Sequence, residues 1–262
     1  MIENAKGKKA TGDKFIAVED KLAVEEVLNI SVNGEPYTIT MRSPGSEKAL
    51  VRGILLTENV YSRRDLQPNF IVKNKNEFGY ITEVNVELEK QDIEKGIETK
   101  RNLLSVTSCG MCGLQETDLA LGKPIVNADT LAASQVEQMF ATMRKAQNTF
   151  EKSGGSHASA AFNLKGKLLS IQEDIGRHNA VDKVIGDLLL QGILDQAKVI
   201  LVSGRLSYEI VKKTYLAQIP FLAAVSAPSS MAVRVAEEVG ICLLAFCRGE
   251  QCTAYSHPYK VI

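Results

Sequence analysis

The chain has 262 residues, its 31 lysines and arginines are balanced by 31 aspartates and glutamates, and 45% of its residues are hydrophobic. These values are typical of a globular protein with one large domain, or with a large and a small one. The balanced charge argues against a general nucleic-acid binder, which needs a basic excess to displace counterions. Five cysteines, an odd number, argue against a closed disulfide framework and favour a reducing compartment.

The N-terminus lacks the features of a targeting segment. Its first twenty residues are polar and mixed in charge, with no apolar stretch typical of a signal peptide. We therefore expect a flexible tail over residues 1–20. No part of the chain approaches the roughly 18 consecutive apolar residues of a membrane helix, so we expect no membrane span and a cytoplasmic location.

Residues 21–105 are expected to form a small β-rich domain. Apolar and polar residues alternate on both sides of Asn33-Gly34, which predicts a β-hairpin with a two-residue turn. A helix is expected after the Pro44-Gly45 turn, with Ser46 at its N-cap. Residues 70–89 have the alternation of a further pair of strands.

Residues 128–262 are expected to form a larger α/β domain, and residues 106–127 a loop before it. The domain begins with a helical pattern, continues with a hairpin around Lys165-Gly166-Lys167, and reaches an amphipathic helix that ends at Gly192. After that helix, short apolar strands alternate regularly with helices. This alternation predicts βαβ units and a largely parallel sheet.

The most specific chemical motif is the Cys-x-x-Cys pair Cys109 and Cys112, which lies among small residues and glycines. Three functions fit the spacing. A zinc site needs two more ligands, and the remaining cysteines, which lie in predicted strands, are poorly spaced to supply them. A thioredoxin-like redox pair is expected after the first strand of a βαβ unit, and none precedes it. A sulfur-handling thiol needs one accessible thiolate. The spacing alone leaves all three open, along with a structural pair.

A second motif is a polar turn between a predicted strand and a predicted helix. A helix cap explains one such residue as well as a functional site does. Seven polar side chains around the single Gly176 favour a site instead. These side chains are Glu173, Asp174, Arg177, His178, Asn179, Asp182 and Lys183.

Further polar turns follow the predicted parallel strands. Residues 203–207 and 226–230 each join a strand to a helix, where ligands bind in open sheets and helix N-termini attract anions. Neither turn is a P-loop, and alone each is weak evidence. The segment Phe246–Gln251 ends the last core strand and is expected on the same rim, although a plain turn explains it equally well.

Five segments, in this order, carry a resemblance to a known family: SCGMCG, EDIGRHNAVDKVIG, VSGRLSYEIVKK, SAPSS and FCRG. With the segment VNGEPYTITMRSPGSEKALVRGILLTENV, they resemble the FdhD/NarQ family over the chain from about Val24 to its C-terminus. Members of this family are accessory proteins of formate dehydrogenase. The combination of segments is specific, whereas no single one of them is.

The resemblance implies a sulfurtransferase that carries sulfur as a cysteine persulfide. It implies that sulfur is taken from a cysteine desulfurase and passed to the molybdenum (or tungsten) bis(pterin guanine dinucleotide) cofactor before the cofactor enters apo-formate dehydrogenase. By position, Cys109 is then the persulfide carrier and Cys112 its partner. The implied fold is a cytidine-deaminase-like mixed sheet core with helices, and the implied assembly is a homodimer.

The resemblance also implies that the segment Phe246–Gln251 contacts the cofactor. We add to it residues of the neighbouring turns, and we expect Arg205, Ser207, Ser229 and Arg248 to contact the phosphates of the cofactor. The complete set of expected cofactor-binding residues is Arg177, His178, Ser203, Gly204, Arg205, Ser207, Ser229, Phe246, Cys247, Arg248, Gly249, Glu250 and Gln251.

No resident metal is expected. Zinc deaminases place H-x-E at one helix start and P-C-x-x-C at the next. Here the corresponding positions are Arg177–Ala180 and Ser203–Ser207, which contain neither the glutamate nor a cysteine. Two alternatives to sulfur transfer remain: a cofactor chaperone whose cysteines are incidental, and a structural zinc protein whose cysteine pairs bridge two subunits.

Overall fold

The structure, a computed structural model, describes residues 2–94 and 122–262. The strands are β1 (Ile2–Thr11), β2 (Lys14–Ala23), β3 (Glu26–Val32), β4 (Glu35–Arg42), β5 (Asn69–Lys75), β6 (Ile81–Glu87), β7 (His157–Phe162), β8 (Leu168–Asp174), β9 (Val199–Val202), β10 (Phe221–Ala224), β11 (Cys242–Arg248) and β12 (Gln251–Ala254). The helices are α1 (Glu47–Thr57), α2 (Ala133–Lys145), α3 (Asn148–Ser153), α4 (Arg177–Leu190), α5 (Tyr208–Leu216) and α6 (Ser230–Glu238). Within these ranges no helix is long and apolar enough to cross a membrane.

The N-terminal segment differs from the expected flexible tail. Strands β1 and β2 pair antiparallel over their whole length, from Ile2 opposite Ala23 to Thr11 opposite Lys14. The turn between them contains Gly12, whose positive φ of 60° suits glycine. Most side chains on both faces of this hairpin are exposed. Because neither face is buried, the sequence lacks the alternation that reveals a strand.

A four-stranded sheet with the order β4-β3-β6-β5 follows. Asn33 and Gly34, with φ angles of 51° and 86°, form the predicted two-residue turn between β3 and β4. The side-chain amide of Asn33 also attaches this turn to the residue after β6. It donates a 2.9 Å hydrogen bond to the carbonyl of Leu88 and accepts one of 2.8 Å from the Leu88 backbone amide. Helix α1 covers one face of the sheet and closes a separate hydrophobic core.

The larger sheet has six strands in the order β12-β11-β10-β9-β7-β8. Its three central strands, β9 to β11, are parallel, and the three outer strands are antiparallel to their neighbours. Helices α4, α5 and α6 cover one face, and α2 lies on the other. The predicted mixed α/β class is confirmed, and its parallel part is the βαβ region.

Helices α1 and α4 join the two sheets by crossing at two glycines. A Cβ atom on Gly53 would lie 1.9 Å from the carbonyl oxygen of Asp182, and one on Gly186 would lie 1.8 Å from that of Ala49. Only glycine permits so close an approach. Beside this crossing the buried ammonium of Lys213 lies 2.8 Å from the carboxylate of Asp182, so the junction is both tightly packed and charge-paired.

Candidate functional site

The candidate site lies at the edge of the larger sheet where the parallel strands end. Strands β9, β10 and β11 run in the same direction, so Ser203, Val225 and the segment after Cys247 meet at one edge. Strand β7 runs antiparallel to β9, and its first residue, His157, therefore lies beside Ser203. This is the edge at which open α/β sheets bind ligands.

A cavity of about 750 Å³ opens at this edge. The strand ends form its floor, and helices α2 and α3 form its wall. Its volume lies within the usual range for small-molecule sites. The lining residues are Glu137, Phe140, Ala141, Met143, Arg144, Gln147, Phe150, Gly154, Gly155, Ser156, His157, Ile175, Ser203, Val225, Cys247, Arg248 and Gly249.

The cavity combines aromatic rings with positive charge. The guanidinium of Arg144 lies 4.7 Å from the centre of the Phe150 ring, a cation–π contact that orients both groups. Arg248 is exposed, and its Nε donates a 3.3 Å hydrogen bond to the carbonyl of Val225. Among the lining residues Glu137 is the single carboxylate. The lining therefore favours a ligand that has flat rings and a net negative charge.

His157 is a half-buried imidazole that lines the cavity. Its Nδ1 lies 3.5 Å from the hydroxyl of Ser203, which also accepts a 2.9 Å hydrogen bond from the amide of Ala158. Burial lowers the pKa of His157 below the ordinary 6.5, and the nearby positive charge of Arg177 lowers it further. The ring is therefore neutral near pH 7 and can accept or donate a hydrogen bond.

Most of the polar turn expected to be a site instead holds the fold together. The carboxylate of Glu173 accepts hydrogen bonds from two backbone amides at the start of α3 and from Ser156. Asp174 pairs with Lys183 at 2.6 Å, and Asp182 pairs with Lys213. Asn179 bonds the backbone of Met41 and the side chain of Asp174. The other two of the seven, Arg177 and His178, lie at the start of α4.

Arg177 lies against Gly204 beside the cavity. A Cβ atom at Gly204 would lie 3.3 Å from Cδ of Arg177 and 3.4 Å from Nδ1 of His157. Because Gly204 has no side chain, Arg177 can lie close to His157. The positive charge of Arg177 contributes to the lowered pKa of His157. Arg205 is exposed, and its positive charge also lowers the pKa of His157.

His178 belongs to a separate hydrogen-bonded group at the start of α5. Its Nε2 lies 3.2 Å from Glu209 and 3.3 Å from Ser207, and the Ser207 hydroxyl donates a 2.9 Å hydrogen bond to the same carboxylate. Burial acts to raise the pKa of Glu209, but the hydrogen bonds from His178 and Ser207, together with the nearby charge of Lys213, lower it. Because serine and carboxylate meet the same ring nitrogen, this group is not a serine–histidine–acid relay.

The expected anion contacts at the serines are only partly available. The hydroxyl proton of Ser207 is used on Glu209, so this residue has no free donor for a phosphate. Ser229 is the N-cap of α6, where its oxygen accepts a 3.1 Å hydrogen bond from the amide of Ala232. Its proton remains free to donate. Neither serine is among the residues that line the cavity.

The segment Phe246–Gln251 separates two cavities. Cys247, Arg248 and Gly249 line the large cavity, whereas Phe246, Glu250 and Gln251 line a second one of about 530 Å³. A β-bulge in the pairing of β11 with β12 causes this division. Within it Phe246 has a φ of 53°, rare for a bulky residue, and its ring is 43% exposed beside Tyr255.

The three cysteines of strands β11 and β12 are poor nucleophiles. Burial raises the pKa of both Cys242 and Cys247 to about 12, so their thiols stay protonated near pH 7. Cys252 is less buried, and burial raises its pKa as well. These three cysteines are best explained as structural residues of β11 and β12.

The two cysteines expected to carry sulfur, Cys109 and Cys112, lie outside the described residues, as does most of the expected loop 106–127. Within residues 2–94 and 122–262, no group of three or more histidine, cysteine, aspartate or glutamate side chains could hold a metal ion.

The cavity residues absent from the set expected from sequence include five with charged, aromatic or imidazole side chains: Glu137, Phe140, Arg144, Phe150 and His157. Four of them lie on or between α2 and α3, where a helical pattern explains them without a ligand. His157 lies in a predicted strand, where a structural role explains a single histidine without a ligand. What places His157 at the cavity is the position of β7 between β8 and β9 in the sheet, and no local sequence pattern reveals that strand order.

Comparison with known proteins decides the family. The model of the FdhD/NarQ family matches residues 23–262. The chain belongs to the FdhD/NarQ family. The match begins at the last residue of the N-terminal hairpin, so nearly all of that hairpin lies outside the matched region.

Curated members of the FdhD/NarQ family resemble the chain over almost its whole length. It is 40% identical over 259 residues to a sulfur carrier protein FdhD of Mycolicibacterium paratuberculosis (strain ATCC BAA-968 / K-10), covering 96% of this chain and 95% of that protein. It is 38% identical over 256 residues to one of Thermoplasma acidophilum, covering 95% and 89%. A crystal structure from Desulfotalea psychrophila, described as a candidate formate dehydrogenase accessory protein, has a TM-score of 0.80 at 19% identity, covering 100% and 99%, and supports the fold.

Proposed function

We propose that the protein is a sulfur carrier that supports the activity of formate dehydrogenase. The observation that carries this proposal is its similarity, about 40% identity over 96% of the chain, to relatives named sulfur carrier protein FdhD. The chain also has the cysteine pair that such a role requires. Its other three thiols are held in strands, and burial raises their pKa values.

In the proposed reaction, Cys109 accepts sulfur from a persulfide on a cysteine desulfurase. The thiolate of Cys109 attacks the outer sulfur of the donor. A sulfur–sulfur bond forms on Cys109, the donor's sulfur–sulfur bond breaks, and the donor leaves as a thiolate. The transferred sulfur keeps its oxidation state, so the step needs neither an oxidant nor a reductant.

Cys112 then releases the sulfur. Its thiol attacks the Cys109 sulfur of the persulfide, a disulfide forms between the two cysteines, and the outer sulfur leaves as hydrosulfide. The two cysteines supply the two electrons that reduce it. A cellular thiol reductant returns the disulfide to the dithiol, ready for another cycle.

The proposed recipient is the molybdenum bis(pterin guanine dinucleotide) cofactor, bound as a substrate. Its nucleotide part is anionic and aromatic, which fits the large cavity. Arg144 and Arg248 are available to its phosphates, and Phe140 and Phe150 to its rings. When bound, the cofactor supplies the metal that receives the sulfur. The chain's own residues bind and orient it.

The proposed partners are a cysteine desulfurase as donor and apo-formate dehydrogenase as the final recipient. A homodimer and a cytoplasmic location complete the proposal. The unpaired thiols of Cys242, Cys247 and Cys252 support a reducing compartment.

Mass spectrometry of the loaded protein tests the persulfide. Incubation with a cysteine desulfurase and cysteine should add about 32 Da, one sulfur atom, to the peptide that contains Cys109. The adduct should disappear on treatment with a thiol reductant. The matched control is Cys242→Ala, which should load normally, and Cys109→Ala should not load. A loaded protein with no adduct on the Cys109 peptide would refute the carrier role.

Calorimetric titration with guanosine diphosphate tests the cavity. Loss of the Arg248 guanidinium removes a charge-assisted contact, so Arg248→Ala should weaken binding about tenfold or more. Arg234→Ala removes an equal charge from α6, away from the cavity, and should leave the affinity within about twofold. Equal affinities of the two variants would place the nucleotide elsewhere.

A further inference from the structure

Two of the strand cysteines, Cys247 and Cys252, face each other across the hairpin formed by β11 and β12. Arg248 pairs with Gln251 at the end of this hairpin, so Cys247 and Cys252 form the next opposite pair along the strands. Phe246, with its positive φ, is the extra residue of the bulge that follows. Both cysteines pack against the same hydrophobic core, so their thiols lie on one side of the sheet.

The spacing of opposite residues in an antiparallel pair suits a disulfide. Their Cα atoms are about 4.5–5.5 Å apart, and a disulfide spans about 4.4–6.8 Å. The two thiols also interact directly, since the thiol of Cys247 donates a hydrogen bond to the sulfur of Cys252. Cys242 is placed differently, because it begins β11 whereas Cys247 lies next to the end of that strand.

The pair lies between the two cavities. Cys247 lines the large cavity, and Cys252 lines the second one of about 530 Å³. Cys252 is partly exposed, whereas Cys247 is buried. A small oxidant therefore reaches Cys252 first, through the second cavity.

The hydrogen bond between the thiols also favours Cys252 as the one that reacts first. Burial raises the pKa of both residues, but the hydrogen bond that Cys247 donates opposes the rise at Cys252. Because thiolate is the reactive form and is scarce at both positions, oxidation of the pair is slow. The pair therefore responds to sustained oxidation and does not compete with the faster chemistry proposed for Cys109.

We infer that Cys247 and Cys252 form a reversible disulfide, which clamps the turn at residues 249–250, when hydrogen peroxide oxidises the protein. The thiolate of Cys252 attacks the peroxide, whose oxygen–oxygen bond breaks, and a sulfenic acid forms. The thiol of Cys247 then attacks this sulfur, a sulfur–sulfur bond forms and water leaves. The two thiols lose two electrons and two protons, and the peroxide becomes two water molecules. A thiol reductant reverses the change.

The disulfide links the two strands at the base of the turn that separates the cavities. It lies next to Arg248, which lines the large cavity. The cross-link opposes local separation of β11 and β12, so the lining of both cavities becomes more rigid on oxidation. Neither thiol takes part in the proposed sulfur transfer, so the inference is independent of that function.

Mass spectrometry of a non-reducing tryptic digest tests the disulfide in the full-length protein. Trypsin cleaves after Arg248, so Cys247 and Cys252 fall on separate peptides, 235–248 and 249–260. After incubation with hydrogen peroxide, these two peptides should be joined through their cysteines, and a thiol reductant should separate them. The proposed carrier cysteines lie on a different peptide and do not interfere.

Three variants show which thiols are joined. Peptide 235–248 also contains Cys242, and Cys242→Ala should keep the joined form. Cys247→Ser and Cys252→Ser should each lose it. Because Cys252 is partly exposed, its serine variant is the one that disturbs the core less.

Hydrogen exchange tests the clamp. The amides of β12 should exchange at least about threefold more slowly in the oxidised wild type than in the reduced protein. The same treatment should leave their exchange in Cys252→Ser unchanged. Absence of joined peptides in the oxidised wild type, a joint between Cys252 and Cys242, or equal exchange of β12 in both states would overturn the inference.

Discussion

His157 shows how a single side chain takes its properties from its position in the sheet. It begins β7 and would be an ordinary strand residue if that strand lay at the edge. Instead β7 lies between β8 and β9, which sets the imidazole beside Ser203 and near Arg177. Burial and positive charge both disfavour its protonated form.

The lowered pKa of His157 predicts a pH dependence of stability. In the unfolded chain the imidazole takes up a proton near its ordinary pKa of 6.5, whereas in the folded protein it does so only at lower pH. Its contribution to stability is therefore complete above that value and is lost as the pH falls below it. We expect the free energy of unfolding, measured with urea at about pH 7.5 and 5.5, to fall less between these two pH values in His157→Asn than in the wild type.

An equal loss in the wild type and His157→Asn would show that other groups cause the acid sensitivity. His257→Asn is the matched control. It removes an imidazole near the C-terminus, where the ring contacts the backbone of Glu237, and should leave the contribution of His157 to the pH dependence in place.

At the scale of elements, the crossing of α1 and α4 joins the four-stranded sheet to the larger one. The backbones meet at Gly53 and Gly186, so the distance between the helices is set by the absence of side chains. Buried ion pairs next to the crossing, Lys183 with Asp174 and Lys213 with Asp182, fix its orientation. Because α4 begins at Arg177, this packing also sets the position of the candidate site.

Gly186→Ala should therefore separate the two helices. The added Cβ atom would meet the carbonyl oxygen of Ala49 at 1.8 Å, so the backbones must move apart. We expect a loss of about 1–3 kcal/mol in the free energy of unfolding, measured by urea titration. Gly155→Ala, whose Cβ atom would have its closest neighbour at 3.6 Å, should change stability little. Equal stabilities of the two variants would contradict this account of the crossing.

The elements with local signals were predictable from the sequence. The turn at Asn33-Gly34 requires two positive φ angles, which these residues adopt readily, and the structure confirms it. The alternation of strands and helices after Gly192 is also confirmed, since buried parallel strands are apolar throughout. Strands β1 and β2 gave no such signal because water surrounds both of their faces.

At the scale of the molecule, the large cavity could not be predicted because it is assembled from distant parts of the chain. Arg144 from α2, His157 from β7 and Arg248 from β11 meet there only because of the strand order. The sequence did indicate the strand-end turns and the segment Phe246–Gln251. It also predicted too many site residues in the polar turn after β8. Asp182 and Lys183 are charged, as site residues often are, but the structure buries them in ion pairs.

Activation of formate dehydrogenase tests the central claim most directly. Apo-formate dehydrogenase matured in cells that lack their own carrier is assayed with the wild type, Cys109→Ala, Cys112→Ala and the control Cys242→Ala. We predict that the wild type and Cys242→Ala activate the enzyme, that Cys109→Ala leaves less than about a hundredth of that activity, and that Cys112→Ala is impaired. Full activation by Cys109→Ala would contradict sulfur carriage and favour a chaperone that only binds the cofactor.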